Sequence, residues 1–327
     1  MKRLAAAAAG MLLGGCLHFH DGPLPNEPAD ARFADVQDAR VRFVDEGQGP
    51  AVVLIHGFAS SLENWDPVLE DLLEGHRVLA LDLKGFGWTD RPEGDYSPSA
   101  QAALVFALMD QRGIERAAVV GHSWGSSVVL AMALDQPERV ERIALYDAWV
   151  FEEQLPPMFV WARAKGLGEL LFRLFYLERP DDKVELAYHD RSVVSQDHVE
   201  AIEQAQARPG TTAAALAAVR GQRYAEVQRH YHEIEQPVLL LWGREDRITL
   251  LEDGERLAGT LPNAELRVYP NCGHFPMREA EPASTRALVD FLAPARTKMP
   301  EPEVTAEPES TPPQAELQPA EVAGVVP

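Results

Sequence analysis

Short apolar runs alternate with longer amphipathic stretches through the middle of the chain. The apolar runs cover residues 51–55, 77–81, 117–120, 140–146, 237–242 and 264–269. Continuous apolar runs of this length are typical of strands buried on both faces of a parallel sheet. Helical patterns lie between them, at 62–74, 97–112, 124–136 and 277–292. Strands that alternate with helices predict an α/β fold with a mostly parallel, doubly wound sheet flanked by helices.

One long interval interrupts this alternation. Residues 148–236 carry helical patterns but no convincing strand, and residues 159–177 combine Leu, Phe and Trp with interspersed Arg, Lys and Glu. Such a mixture is typical of amphipathic helices. We therefore predict an α-helical cap at 148–236, inserted between two late strands. It divides the core into a first part, 31–147, and a second part, 237–295.

The N-terminal residues differ in composition from the middle. Lys2 and Arg3 precede an apolar run that ends in small residues before Cys16. The run is too short to span a bilayer but fits a signal peptide over 1–15. Leu13-Gly14-Gly15-Cys16 resembles the bacterial lipobox, which implies lipidation of Cys16 and export to a membrane surface, the outer membrane where the cell has one. The alternative is an ordinary secretory signal and a periplasmic or secreted protein. Residues 16–30 are expected to be the lipidated cysteine and a linker.

The C-terminal residues and the overall charge narrow the class of protein. Residues 296–327 are rich in proline and glutamate and contain no aromatic residue, so we expect a disordered acidic tail. The chain has 30 Lys and Arg against 51 Asp and Glu, a net charge of −21, which repels phosphate backbones and argues against a nucleic-acid partner. Its only two cysteines, Cys16 and Cys272, exclude a disulfide scaffold and a cysteine-rich zinc module. Nothing in the sequence calls for a metal or a cofactor.

The pentapeptide Gly121-His122-Ser123-Trp124-Gly125 carries the most specific chemistry. It follows the predicted strand 117–120 and precedes the predicted helix 124–136. A serine nucleophile must project its hydroxyl from a sharp strand-to-helix turn, and flanking glycines let the backbone pass without side-chain clashes. Ser123 is therefore the candidate nucleophile.

With this turn, the chain resembles the α/β-hydrolase fold family across nearly all of residues 31–295. His56-Gly57-Phe58 is similar to the oxyanion loop of that family. The resemblance implies one backbone N–H donor from this loop, at Phe58 or, alternatively, Ala59, and a second from Trp124. Two donors aimed at a developing oxyanion contribute strongly to acyl transfer. Residues 82–90 resemble the turn that follows the next strand in the family, and we expect a structural role for them.

The chain order of the family, serine then acid then histidine, selects the remaining catalytic candidates. His274 follows the last predicted strand and can accept the serine proton and return it to the leaving group. Asp246 follows strand 237–242 and is the candidate acid that orients the imidazole. Asp147 is the rival, because some family members carry the acid after the preceding strand, and Glu245 is a further alternative.

An insertion like 148–236 forms a lid over the nucleophile in this family. We expect an apolar substrate pocket lined by aromatic residues on and near it, namely Trp65, Trp161, Phe172 and Phe175. The resulting prediction is a serine hydrolase that cleaves carboxylic esters of small to medium apolar substrates through an acyl-enzyme. The alternative functions on the same fold are those of carbon–carbon bond hydrolases, cofactor-free haloperoxidases and prolyl aminopeptidases. A further alternative is a non-catalytic ligand-binding protein.

Overall fold

The sheet has eight strands, in the order β1-β2-β4-β3-β5-β6-β7-β8. This computed structural model describes residues 17–176 and 186–293, without the side chains of residues 197 and 198. The predicted signal peptide, Cys16 and the predicted tail at 296–327 lie outside the described residues. The strands are β1 Arg32–Val36, β2 Ala39–Gly47, β3 Ala51–Ile55, β4 Arg77–Leu81, β5 Ala117–His122, β6 Val140–Tyr146, β7 Val238–Gly243 and β8 Ala264–Tyr269.

The parallel strands are those that the apolar runs predict. Strands β3 to β8 pair in parallel with one another, whereas β1 pairs with β2, and β2 with β4, in antiparallel fashion. The sequence did not predict the β1–β2 hairpin, because charged residues alternate with apolar ones along β2 and interrupt its apolar run. Its turn contains Gln37, with a φ of 55°, instead of the Asn-Gly or Asp-Gly pair that signals a hairpin.

Helices cover both faces of the sheet. Those of the core are α1 Asp66–Leu73, α2 Pro98–Gln111, α3 Trp124–Asp135, α9 Leu251–Thr260, α10 Pro276–Glu279 and α11 Ala283–Leu292. The predicted helix 277–292 is divided into α10 and α11 at Pro282, because a proline disfavours helical backbone in the residue before it. Helix α9 was not predicted, because its two glycines weaken the helical pattern. Gly254 is required there, since a Cβ would lie 2.7 Å from the Trp242 ring.

The strands bury side chains on both faces, as a doubly wound sheet requires. Along β3, Val53 and Ile55 join one hydrophobic core, and Val52 and Leu54 join a second core on the other face. This arrangement confirms the predicted α/β class with its mostly parallel sheet.

The cap lies between β6 and β7. Its described helices are α4 Pro157–Ala162, α5 Leu167–Phe175, α6 Gln196–Ala207, α7 Thr211–Gly221 and α8 Tyr224–Val227. The described part of 148–236 contains no strand. The helical insertion is thus confirmed, and its limits at 148 and 236 stay a prediction. Across residues 17–176 and 186–293, no helix is long and apolar enough to cross a membrane.

Residues 17–30, predicted as a linker, pack on the core instead. Leu24 is buried, and the Phe19 ring stacks on Tyr96 with the ring centroids 6.1 Å apart. Glu27 pairs with Arg40 on β2. The prolines that suggested a linker are spaced among apolar side chains that pack against the core. The prediction of a linker at 17–30 is therefore wrong.

Candidate active site

Ser123 occupies a strained turn between β5 and α3. Its φ is 51° and its ψ is −123°, a region that costs a non-glycine residue about 1–3 kcal/mol. Two hydrogen bonds hold the turn: the Ser123 N–H donates to the Tyr146 carbonyl at 2.9 Å, and the Trp149 N–H donates to the Ser123 carbonyl at 3.1 Å. The strain is therefore imposed by the sheet, and it presents the hydroxyl above the strand ends.

The flanking glycines are required by close contacts with backbone. A Cβ on Gly125 would lie 2.4 Å from the His56 carbonyl oxygen, and one on Gly121 would lie 2.9 Å from the Ser126 nitrogen. Distances under 3 Å between such atoms cannot be accommodated without moving the backbone. The glycines of the pentapeptide thus allow α3 to start directly against the oxyanion loop.

The imidazole of His274 is held by Asp246. Its Nδ1 lies 2.7 Å from Oδ2 of Asp246, and both side chains are buried. The other oxygen, Oδ1, accepts the N–H groups of Ile248 at 2.7 Å and Thr249 at 3.2 Å, and the Thr249 hydroxyl donates to Oδ2 at 2.6 Å. With Nδ1–H directed at the carboxylate, Nε2 is left as the proton acceptor.

Ser123 and His274 line the same cavity, although no hydrogen bond joins these two described residues. Such bonds are often long before a substrate is bound and tighten in the reacting complex. The structure thus brings the predicted nucleophile and the predicted acid–base pair to one site.

Asp147 lies behind this pair and does not contact the imidazole. Its Oδ1 accepts the Gly243 N–H at 2.9 Å. Burial, reinforced by the neighbouring Asp246 carboxylate, raises the pKa of Asp147 well above its usual range, which favours the neutral carboxyl. Glu245 instead accepts the Cys272 N–H at 3.0 Å and holds the loop before His274. Of the three candidate acids, Asp246 alone is hydrogen-bonded to the histidine.

The predicted oxyanion donors face the same cavity. Trp124 is the first residue of α3, so its N–H has no acceptor within the helix. The Phe58 N–H donates to no acceptor among the described residues, and both residues line the cavity with Ser123. A Cβ on Gly57 would lie 3.1 Å from the Ser123 Cβ, which explains a glycine at this position.

A cavity of about 450 Å³ opens above Ser123 between the core and the cap. Its walls are mostly apolar, with aromatic side chains from both parts: Phe58, Trp88, Trp124, Trp149, Phe159, Tyr188 and Phe275. Among the described residues, its lining includes one carboxylate, Glu63, and one guanidinium, Arg208. Glu63 is paired with Arg42 at 2.6 Å, whereas Arg208 stacks on the Trp88 ring at 3.4 Å and donates to the Gly87 carbonyl at 2.8 Å.

The four predicted pocket residues do not line this cavity. Trp65 is buried in the core, where its ring meets Tyr146 edge-on. Phe172 is buried within the cap and stacks on Tyr176. Trp161 and Phe175 are 59% and 48% exposed on the outside of the cap. The prediction was wrong because helical periodicity separates apolar from polar faces but does not say which apolar face covers the site.

The sequence did not identify two residues, His122 and Thr249, that position the catalytic candidates. His122 is fully buried, and burial together with His274 lowers its pKa well below the usual value. As a neutral ring it can donate from Nε2 to the His274 carbonyl oxygen, 2.8 Å away. Thr249 holds the Asp246 carboxylate, and its position three residues after Asp246 was the available signal.

Three buried side chains of this site, Asp147, Asp246 and His274, place potential metal-ligand atoms within 4.8 Å of one another. Asp246 and His274 are already hydrogen-bonded to each other, and the raised pKa of Asp147 disfavours the ionised form that would bind a metal ion. The cluster therefore fits an acid–base pair beside a carboxyl of raised pKa better than a cation site.

We expect the Asp147→Asn variant to gain stability relative to the wild type as the pH rises. The folded-state pKa of Asp147 is raised, so the folded chain must keep a proton that the unfolded chain releases above its ordinary pKa. This costs about 1.4 kcal/mol per pH unit until the folded pKa is reached. Asparagine carries no such proton. Urea unfolding of both proteins at pH 5 and pH 8 measures the effect, and a difference that does not grow with pH would contradict it.

Comparison with known proteins agrees with the geometry. A family model described as alpha/beta hydrolase fold matches residues 50–280. The chain belongs to the α/β-hydrolase fold family. This hydrolase is 30% identical to the 2-hydroxy-6-oxo-2,4-heptadienoate hydrolase of Pseudomonas putida over 76% of this chain and 91% of the relative.

Solved structures extend the likeness. The hydrolase is similar to Cfl2 of Burkholderia cenocepacia, with a TM-score of 0.72 and 26% identity over 85% of this chain and 100% of the other. The structure of a membrane phospholipase A, described as a bacterial virulence factor, matches with a TM-score of 0.67 and 25% identity over 89% of this chain and 91% of the other.

Proposed function

We propose that this hydrolase cleaves a carbon–carbon bond next to the ketone of an anionic, conjugated oxo-acid, with Ser123 as the nucleophile. The observation that carries the proposal is one cavity lined by Ser123, by His274, which is hydrogen-bonded to Asp246, and by Arg208, the one Lys or Arg among its described lining residues. The substrate named for the relative at 30% identity contains a ketone and a carboxylate but neither an ester nor an amide. Hydrolysis of such a compound must break a carbon–carbon bond. This proposal replaces the ester reaction as our first choice.

The reaction begins with attack of the Ser123 Oγ on the ketone carbon. Nε2 of His274 takes the serine proton, Asp246 stabilises the imidazolium, and the N–H groups of Phe58 and Trp124 bind the oxyanion. The electron balance requires the keto tautomer of the substrate, in which the carbon next to the reacting ketone is saturated. When the carbonyl re-forms, the bond to that carbon breaks, and its electron pair passes into the unsaturated carbonyl system of the leaving fragment. The imidazolium then protonates the leaving carbon.

Water completes the cycle. Nε2 of His274 takes a proton from water as the water oxygen attacks the acyl-serine, and returns it to the Ser123 Oγ when the carboxylic acid leaves. One water is consumed overall, and two products are released. One is the carboxylic acid from the acyl-serine, and the other is the leaving fragment that the imidazolium has protonated.

Arg208 supports an anionic substrate. It is the one Lys or Arg among the described residues that line the cavity, in a chain whose net charge is −21. Partial burial lowers its pKa below the ordinary value of an arginine. A desolvated cation binds a carboxylate more strongly than an exposed one does.

We expect Arg208→Gln to lower kcat/KM for a conjugated oxo-acid by roughly 10- to 100-fold, the range for losing hydrogen bonds to a charged group. Turnover of a neutral p-nitrophenyl ester should change little, because it has no anion for Arg208 to bind. The matched control is Arg223→Gln, which removes an exposed cation outside the cavity lining. Equal losses of activity toward both substrates would show that the substitution disturbs the fold and that Arg208 does not bind the anionic group of the substrate.

Carboxylic ester hydrolysis is the second candidate. It needs the same acyl-serine, and the mostly apolar cavity walls and the structural similarity to a phospholipase A favour it. A substrate panel separates the reactions: a conjugated oxo-acid, p-nitrophenyl esters of graded length, a proline arylamide and a halogenation substrate. Turnover of esters alone would overturn the carbon–carbon proposal. Saturable binding with no turnover by the intact protein would favour a ligand-binding role.

We also propose export of the chain and lipid attachment at Cys16. The apolar run before Cys16 and its resemblance to the lipobox support this. Mass spectrometry of the N-terminal peptide from membranes of the producing cell tests it, since an unmodified Met1 would contradict export.

A further inference from the structure

Helices α4 and α5 carry an exposed apolar surface on the outside of the cap. The described chain has nine exposed large hydrophobic side chains, and six of them belong to these two helices and their connection. We call this set the docking face: Val160, Trp161, Leu167, Leu170, Leu174 and Phe175, which are 43–59% exposed. We propose that the docking face binds the surface of a lipid bilayer with anionic headgroups.

Helix α5 shows why this face needs a partner. Its inner side, with Gly168 and Phe172, is buried toward the cap helix α7, where Phe172 joins a cluster with Leu216. Leu167, Leu170 and Leu174 follow one another at helical spacing on the other side and remain exposed. A helix that is apolar on both sides is normally buried on both sides. No described element of the protein covers the outer one.

The charges around the docking face differ in sign from those of the whole protein. Residues 157–175 contain three cations, Arg163, Lys165 and Arg173, and one acid, Glu169, so their net charge is 3 − 1 = +2 against −21 for the chain. Two of these charges are in ion pairs with residues outside 157–175: Arg163 with Glu152 at 2.5 Å, and Glu169 with Arg220 at 2.9 Å. Basic residues beside an apolar helical face attract anionic lipid headgroups. The local charge therefore favours a bilayer with anionic lipids.

Trp161 adds the side chain that best fits the boundary between headgroups and acyl chains. It is 59% exposed, whereas Trp65, Trp124 and Trp242 are at most 1% exposed. Leu17, the first described residue, packs against the cluster that contains Ala162 of α4 and Phe172 of α5. The residue before it, Cys16, is the proposed site of lipidation, which the docking proposal does not require.

A second copy of the chain is a less suitable occupant. Symmetric pairing of two docking faces would bring two copies of the same net-positive pair of helices against each other. The single acid of the two helices, Glu169, is already engaged with Arg220. An apolar contact would then form at the cost of like-charge repulsion.

Quenching of tryptophan fluorescence by brominated lipids tests the proposal on the full-length chain. Vesicles of phosphatidylglycerol and phosphatidylethanolamine with brominated acyl chains should quench a component of the emission, and Trp161→Phe should remove that component. The double variant Leu170→Gln, Leu174→Gln should need roughly tenfold or more lipid for half-maximal quenching, because it removes half-exposed leucines from the contact. The matched control is Leu250→Gln, which changes a leucine that is 51% exposed outside the cap.

Several outcomes would overturn the proposal. One is quenching that persists unchanged in Trp161→Phe, and another is equal lipid dependence of the double variant and the wild type. Quenching that is equally strong with uncharged phosphatidylcholine vesicles would remove the role of anionic headgroups. Self-association that the double variant abolishes, without quenching by lipid, would assign the face to a second copy. Because the readout is independent of turnover, failure here leaves the proposed reaction untouched.

Discussion

Ser123→Ala is expected to lose nearly all hydrolytic activity, with kcat reduced on the order of 10⁴- to 10⁶-fold. In the proposed reaction the Ser123 hydroxyl oxygen forms the acyl intermediate, and an alanine side chain has no group that can replace it. Alanine also fits the turn sterically, and the two backbone hydrogen bonds that hold residue 123 do not use its side chain. We therefore expect the variant to fold and still bind substrate. Single-turnover kinetics with a conjugated oxo-acid and with a p-nitrophenyl ester measure the loss.

Ser126→Ala is the matched control for this variant. Ser126 lies one turn further along α3, is fully buried, and its hydroxyl has no hydrogen-bond partner among the described residues. Its removal should leave kcat nearly unchanged. A fluorophosphonate probe should label the wild type and Ser126→Ala but not Ser123→Ala. Labelling of a folded Ser123→Ala protein would place the nucleophile elsewhere.

The parallel strands could be predicted from the sequence because they are buried on both faces. Strand β3, for example, sends Val52 and Leu54 to one core and Val53 and Ile55 to the other, so it is apolar throughout. The β1–β2 hairpin could not be recognised in the same way. Its exposed positions carry charges, and what specifies it is the antiparallel pairing of β2 with β4, a contact distant in sequence.

The candidate catalytic residues could be predicted because each stands directly after a strand. Parallel strands end at one edge of the sheet, so residues that follow β5, β7 and β8 are brought together whatever lies between them. The substrate pocket lacks this constraint. Its cap side depends on how α4 and α5 are rotated against the core, and that rotation exposes Trp161 and Phe175 while Phe159 lines the cavity.

The choice of reaction could not be made from the serine, histidine and acid. These residues activate a nucleophile in the same way for an ester, an amide or a ketone. The feature that favours an anionic oxo-acid is Arg208, which the sequence does not distinguish from the other arginines of the cap. It becomes a candidate only when the fold stacks it on Trp88 inside the cavity.

Asp246→Asn is expected to reduce kcat by about 10⁴-fold, whereas Asp147→Asn should retain most of the activity. Asp246 accepts the Nδ1–H of His274 at 2.7 Å. An asparagine amide there can donate to Nδ1 instead, which places the proton on Nε2 and prevents the ring from accepting the serine proton. Asp147 is close in shape to asparagine, its raised pKa favours the neutral form, and its hydrogen bond from the Gly243 N–H can be accepted by the amide oxygen.

Comparison of the two variants identifies the acid without relying on either one alone. Both replace a buried carboxyl by an amide of the same size, both lie behind His274, and both can be checked for folding by thermal unfolding. Glu245→Gln completes the series, because Glu245 holds the loop through the Cys272 N–H and does not reach the imidazole. Loss of activity in Asp147→Asn with an active Asp246→Asn would reverse the assignment. Comparable losses in both would mean that the two neighbouring carboxyls act as one unit in keeping His274 in the reactive tautomer.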